Sequence, residues 1–205
     1  MNEKFFDLKK EKQDRMLAAI LKIFALYGYE AAGTDEMVRE AAISKGLLFH
    51  YFDSKLGAYA FAYSYAVRFL ELELSGSISL TEKDPFRLAG QAEKAVAAVM
   101  HSYPYVQLFL YRAREEQSEE ALRASADSRE KIAAIQKKLL QAADFGPYAV
   151  VGQMGSAATR EKILRMLDFT VKGVLEDELR KDDFTPERFL EQVCSYIDLV
   201  AMTVR

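Results

Sequence analysis

Apolar residues recur at three- and four-residue spacing along most of this chain, and that period predicts helices. Met16, Ile20, Ile23 and Tyr27 form one stripe, widened by Leu17 and Phe24, so a first helix is expected over 8–27 with Gly28 as its stop. Two short helices should follow, opening at Thr34 and Ser44, whose hydroxyls are placed to cap free backbone N–H groups. In the second, Leu48 and Phe52 lie four residues apart on the inward face, which leaves Lys45, Gly46, Phe49 and His50 outward. A long helix over 54–74 carries Tyr59, Phe61, Tyr63, Tyr65 and Phe69 around much of its circumference and should be largely enclosed. Beyond a polar connection at 75–84, helices are expected over 85–102, from Pro104 to Arg114, and over 118–143, 158–181 and 186–204. The stretch 145–156 is apolar for a loop and reads as an ordered lid. The chain reads as all-α, without internal repeats or low-complexity segments.

Composition narrows the class. The 205 residues are 50% hydrophobic and 29% charged, enough for one or two domains with a substantial core. A single cysteine, Cys194, allows no internal disulfide and fits a reducing cytoplasm, the expected location. The N-terminus has no apolar run of signal-peptide length, and the uncharged run at 59–67 is too short to span a bilayer, so no membrane partner is expected. The net charge is −3, and in residues 1–56 nine bases balance nine acids, which predicts modest non-specific affinity for polyanions. Where charge sits matters more than its sum, and Lys45 and Lys55 flank the outward face of the second short helix.

A short helix pinned by its partner and displaying basic and aromatic tips suits the major groove of DNA. The run from Thr34 to Lys55, TDEMVREAAISKGLLFHYFDSK, together with Ala19, Phe24, Gly28 and Tyr29 upstream, resembles the DNA-binding head of the tetracycline-repressor (TetR) family. The shared positions include Val38, Ala41 and Ile43, then Ser44-Lys45-Gly46, His50-Tyr51-Phe52 and Ser54-Lys55. Three positions depart from the family pattern: Phe49 stands where tyrosine is usual, Leu47 where a small polar residue is usual, and Ala42 where a turn glycine is common. The resemblance covers about the first quarter of the chain. It implies an N-terminal three-helix helix-turn-helix DNA-binding domain, 1–54, and a C-terminal helical ligand-binding and dimerisation domain, 55–205.

On that reading Lys55, at the mouth of a helix, binds phosphate together with free backbone N–H groups. Lys45 sits over base edges or phosphates, and Gly46, Leu47 and Phe49 share the groove-facing surface. His50 and Tyr51 meet the DNA backbone, with core packing as the alternative for Tyr51. Thr34 and Ser44 cap their helices and can touch phosphate, and Arg39 faces the DNA backbone or is simply solvated. For the body, the resemblance implies a small-molecule effector held among Tyr63, Met100, Tyr103, Phe109, Met166 and Phe169, with Arg112 as a polar anchor. Ordinary core filling, and a salt bridge from Arg112 to Glu115 or Glu116, are the alternatives. The stripes Ile163, Leu167, Val171, Val174 and Phe189, Val193, Ile197, Val200 are expected to build a four-helix interface in a homodimer, or else to pack within one chain. A dimer would place two recognition helices about 34–36 Å apart on a palindromic operator.

No catalytic set emerges, and no cofactor or metal is expected. His50 and His101 are distant in sequence, and no metal-ligand spacing, Walker loop, GxGxxG or GxSxG is present. The resemblance then implies a dimeric, ligand-responsive transcriptional regulator, a repressor, rather than an enzyme. The alternatives are an all-α interaction protein whose head has lost DNA binding, or a small-molecule carrier or enzyme using the cavity alone.

Overall fold

A computed structural model describes residues 3–79, 81–148 and 156–204, and every regular element among them is helical. A 3-10 turn, Glu3–Asp7, precedes α1 (Lys10–Ala31), α2 (Thr34–Glu40), α3 (Lys45–Phe52), α4 (Lys55–Ser77) and α5 (Pro85–Met100). Then come α6 (Val106–Arg114), α7 (Glu119–Ala124), α8 (Ala126–Ala142), α9 (Ser156–Leu179) and α10 (Pro186–Thr203). Among the described residues no helix is long and apolar enough to cross a membrane.

Two expected boundaries move for local reasons. Gly28 does not stop α1 but kinks it, at φ 71° and ψ 179°, a conformation open to glycine because it has no Cβ. The helix expected over 118–143 breaks at Ser125, whose buried hydroxyl donates back to the carbonyl of Ala121 at 2.7 Å. Serine bonding its own backbone in this way competes with helix continuation. The expected lid falls mainly on 149–155, outside the described residues. Just before it, a 3-10 turn, Gly146–Tyr148, buries Tyr148, whose hydroxyl donates to Asp84 at 2.5 Å.

The chain forms two compact units, Met1–Leu70 with Val99–Ile132, and Glu71–Ala98 with Ala133–Arg205. Helices α4, α5 and α8 have residues in both. The first unit is centred on α1, which packs on α2 and α6. Its interior is aromatic: Phe24, Tyr59 and Phe109 are buried and in mutual ring contact, with Tyr29 and Tyr63 alongside. The second unit joins α9 to α10 through apolar stripes that include Phe189. Its ends are fastened by the buried carboxylate of Glu178, which accepts from Lys181 and, at 2.6 Å, from Arg188.

Candidate nucleic-acid interface

Helix α3 is short, and a helix of that length is marginal on its own, so its neighbours must hold it. Ser44 caps it, its Oγ accepting from the amide of Leu47 at 3.2 Å. Leu48 and Phe52 point inward and are buried, as their spacing predicts. The tight turn before α3 places Ala42 at φ 51°, the strained geometry that a glycine would relieve. Arg15 of α1 braces that turn, donating from Nε to the carbonyl of Ala41 at 2.9 Å. After α3, Asp53 turns the chain at φ 62°, and Gly57 of α4 lies so close that an added Cβ would meet the Phe52 carbonyl oxygen at 1.9 Å. From the 3-10 turn, Phe5 (1% exposed) wedges beneath α3, with ring centroids 5.8 Å from Tyr51, 5.4 Å from Phe52 and 5.0 Å from Phe61.

The opposite face is open. Ser44, Lys45, Gly46 and His50 are exposed, with Leu47 and Phe49 half-buried on its flanks. Lys45 donates to Asp35 at 2.8 Å, an exposed pair of the kind worth at most about 1 kcal/mol and readily traded for phosphate. Arg39 is exposed near the end of α2, with Glu36 3.9 Å away. Tyr51, by contrast, is only 7% exposed, so it serves the seat of α3 and not its outer face. Thr34 is the first residue of α2 and makes no cap; Gly33 holds the capping position.

Lys55 is placed differently from its expected role. Its Nζ donates to the carbonyls of Glu30 and Ala32 at 3.1 and 3.4 Å and lies 4.6 Å from the centre of the Tyr29 ring. The lysine thus satisfies free carbonyls at the C-terminal end of α1, where the helix dipole favours a cation. Tyr29 is itself tethered: its amide donates to Glu116 at 3.1 Å and its hydroxyl to Glu120 at 2.5 Å. Burial, then the bond to Glu120, pushes the Tyr29 phenol well above its ordinary value, so it stays a donor. A chain of contacts therefore runs from the first turn of α4 through Tyr29 to α7.

The residues expected to hold an effector divide between the two units. Tyr63, Met100, Tyr103 and Phe109 are buried in the first, where Tyr103 donates to Asp14. Tyr59, beside Tyr63 and Phe109, buries a hydroxyl with no hydrogen-bond partner among the described residues. Arg112 donates from Nε to the Ala25 carbonyl at 3.2 Å. Met166 and Phe169 belong to the second unit, where both are exposed on α9.

The expected dimer stripes need the same redistribution. Ile163, Leu167, Val171, Phe189, Val193 and Ile197 are buried within the single chain, and Val174 and Val200 are half-buried. The six buried members already fill the interior of their own unit, so their burial does not depend on association, while Val174 and Val200 keep part of their surface open. Elsewhere on the same helices, beside the buried stripes, Met166, Phe169, Tyr196, Leu199 and Met202 are exposed. A single apolar period was visible in the sequence; a second row beside it, with Met166 three residues after Ile163 and Tyr196 three after Val193, merged with the first in that pattern. Phe5, Arg15, Asp35 and Gly57 were missed because each acts across a distance in sequence, the Phe5-Phe6 pair being the one visible hint.

Residues 16–57 match the family described as bacterial regulatory proteins, tetR family. Over 51 residues the chain is 39% identical to the HTH-type transcriptional activator FasR of Mycolicibacterium smegmatis, a match spanning 25% of this chain and 23% of that protein. The chain thus covers under a quarter of that relative's length. The fold is shared with a TetR family transcriptional regulator from Chloroflexus aurantiacus, at TM-score 0.59 and 15% identity over 99% of this chain and 95% of that one. It is also shared with the TetR family transcriptional regulator PfmR from Thermus thermophilus, at TM-score 0.51 and 23% identity over 91% and 96% of the two chains.

Proposed function

We propose, from the match of residues 16–57 to the tetR family of bacterial regulatory proteins, that this chain is a homodimeric repressor which binds a palindromic operator and is released by a small-molecule effector. The observation that carries the reading is α3, whose inner side is seated on Phe5, Leu48 and Phe52 while its outer side is left open. Ser44, Lys45, Gly46, Leu47, Phe49 and His50 face the groove on this reading, with Arg39 reaching the DNA backbone. Thr34 lies at the start of α2 within the same surface. Lys55 and Tyr51 act one step back, the first by closing the end of α1 and the second by packing under α3.

Dimerisation is assigned to the second apolar row, Met166, Phe169, Tyr196, Leu199 and Met202. Solvent exposure of this many large apolar side chains on two neighbouring helices is costly unless a second copy covers them. The effector is assigned to the aromatic core around Tyr59, with Tyr63, Met100, Tyr103 and Phe109. An unmet buried hydroxyl costs about 1–3 kcal/mol, which a ligand's polar group would recover. Helix α4 carries Lys55, Tyr59 and Tyr63, so an effector that shifts α4 changes the seat of the head. A coupling of about 1–3 kcal/mol would change operator affinity roughly 5–150-fold.

The test is a gel-shift with duplex DNA from upstream of the chain's own reading frame. Specific binding that falls steeply with salt is expected, weakened by Lys45→Ala and Arg39→Ala. Indifference to duplex DNA at low salt overturns the reading. A reporter on that promoter should rise when the gene is deleted; a fall makes the chain an activator.

A further inference from the structure

The outer surface of α3 has an unusual chemistry for a groove reader. The helix, KGLLFHYF, contains no Arg, Asn, Gln, Asp or Glu. With lysine, which also reads guanine, those are the side chains that read guanine, adenine and cytosine edges through paired hydrogen bonds or acceptance from an exocyclic amine. Within this helix only Lys45 and His50 offer donors on the open face, and Lys45 stands in an exposed pair with Asp35 that it can exchange for phosphate. What flanks the open face instead is apolar: Leu47 on one side and Phe49 on the other, both half-buried.

Gly46 adds an independent observation. It sits in the first turn of α3 at an ordinary helical conformation, and a Cβ built there would meet nothing within 4 Å. Neither backbone geometry nor internal packing requires glycine, although glycine weakens a helix. Gly57, a few residues on, is the opposite case, wedged against backbone. The missing side chain at Gly46 therefore lowers the ridge between Leu47 and Phe49 and lets the helix approach an outside surface closely.

We propose that Leu47 and Phe49 are specificity-determining residues that read thymine C5-methyl groups in the major groove, with Gly46 permitting the close approach. The preferred half-site is then one whose thymines face these two side chains. Apolar contact with that methyl group is a recognised mode of base discrimination, and it needs neither a hydroxyl at position 49 nor a polar residue at position 47. This inference rests on the operator-binding reading and names what that site recognises.

The experiment starts from selection of a preferred duplex out of a randomised pool by the full chain. Each enriched thymine is then replaced by uracil, which keeps every hydrogen-bonding group and removes only the methyl. Binding should weaken by about four-fold for each contacted thymine, the loss of one buried methyl group. Because the change is on the DNA, no protein variant need fold for this arm. Leu47→Ala and Phe49→Ala should each become indifferent to uracil at one position, and Phe49→Tyr should retain the sensitivity. An enriched duplex whose affinity ignores uracil everywhere overturns this inference alone. A pool yielding no bound duplex overturns operator binding and this inference together.

Discussion

Helices α3 and α10 each bury one row of side chains and leave another in the open, but the two open rows are built for different surfaces. The row on α3 mixes one cation, a glycine, a histidine and two half-buried apolar tips, on a helix of only 8 residues. The row on α10, Tyr196, Leu199 and Met202, is long and apolar, and Phe169 and Met166 of α9 extend it; Met202 is 72% exposed and Phe169 60%. Their support differs as well. Aromatic rings gathered from the 3-10 turn and α4 hold α3, whereas α10 is held by its own apolar stripe and by Arg188 on Glu178. The contrast teaches that amphipathicity alone does not name a partner; the size and polarity of the exposed row do.

The strongest way to break this comparison is to charge the α9–α10 row. Phe169→Glu combined with Leu199→Glu should shift the chain from the proposed dimer to a monomer in sedimentation, because an unpaired charge buried in an interface costs about 3–5 kcal/mol. A native chain already monomeric at micromolar concentration removes the distinction between the rows.

Next in size is the aromatic seat. Phe5→Ala should lower the unfolding free energy in urea by about 3–5 kcal/mol, since the ring is fully enclosed. Phe169→Ala, measured on a monomeric background, should stay within about 0.5 kcal/mol. Equal losses would show that neither row is special.

Acid probes the fastening of α10. Burial alone would raise the Glu178 carboxyl, but hydrogen bonds from Lys181 and Arg188 outweigh it and hold the group below its ordinary value. The folded value lies below the unfolded one, so this stability is complete above about pH 4.3 and is lost as pH falls through the folded value. Glu178→Gln should cost about 2 kcal/mol at neutral pH and flatten the acid limb of the urea midpoint against pH. An unchanged limb would assign acid sensitivity elsewhere.

The glycines give the finest test. Gly57→Ala forces a Cβ onto the Phe52 carbonyl and should destabilise the chain by about 1–3 kcal/mol. Gly46→Ala should stabilise it by about 0.5–1 kcal/mol while weakening duplex binding. A Gly46→Ala variant that binds DNA as well as the parent would show that the ridge need not be low.

Much of the head was legible in order along the chain. Ser44 as a cap and Leu48 and Phe52 as anchors follow from local rules, and each stands where those rules put it; Ala42 was marked only by the resemblance, as a position where glycine is common. Lys55 and Tyr51 were harder, because their roles depend on what approaches from 20 or more residues away, Glu30 and Ala32 for one and Phe5 for the other. Helix periodicity located α9 and α10 to within about two residues, yet it could not say which of two apolar rows would meet the other helix first.

By itself the amino-acid order determined the all-helical class, the cap and inward face of α3, and the family that the head matches, since these depend on contacts within about four residues. Tertiary structure alone decided that Lys55 closes a helix end, that the expected interface stripes fill the interior, and that Met166, Phe169, Tyr196, Leu199 and Met202 face solvent. The reason is physical. Backbone hydrogen bonds and caps are satisfied locally, whereas burial is a competition among all apolar surfaces of the chain, settled only when they pack together.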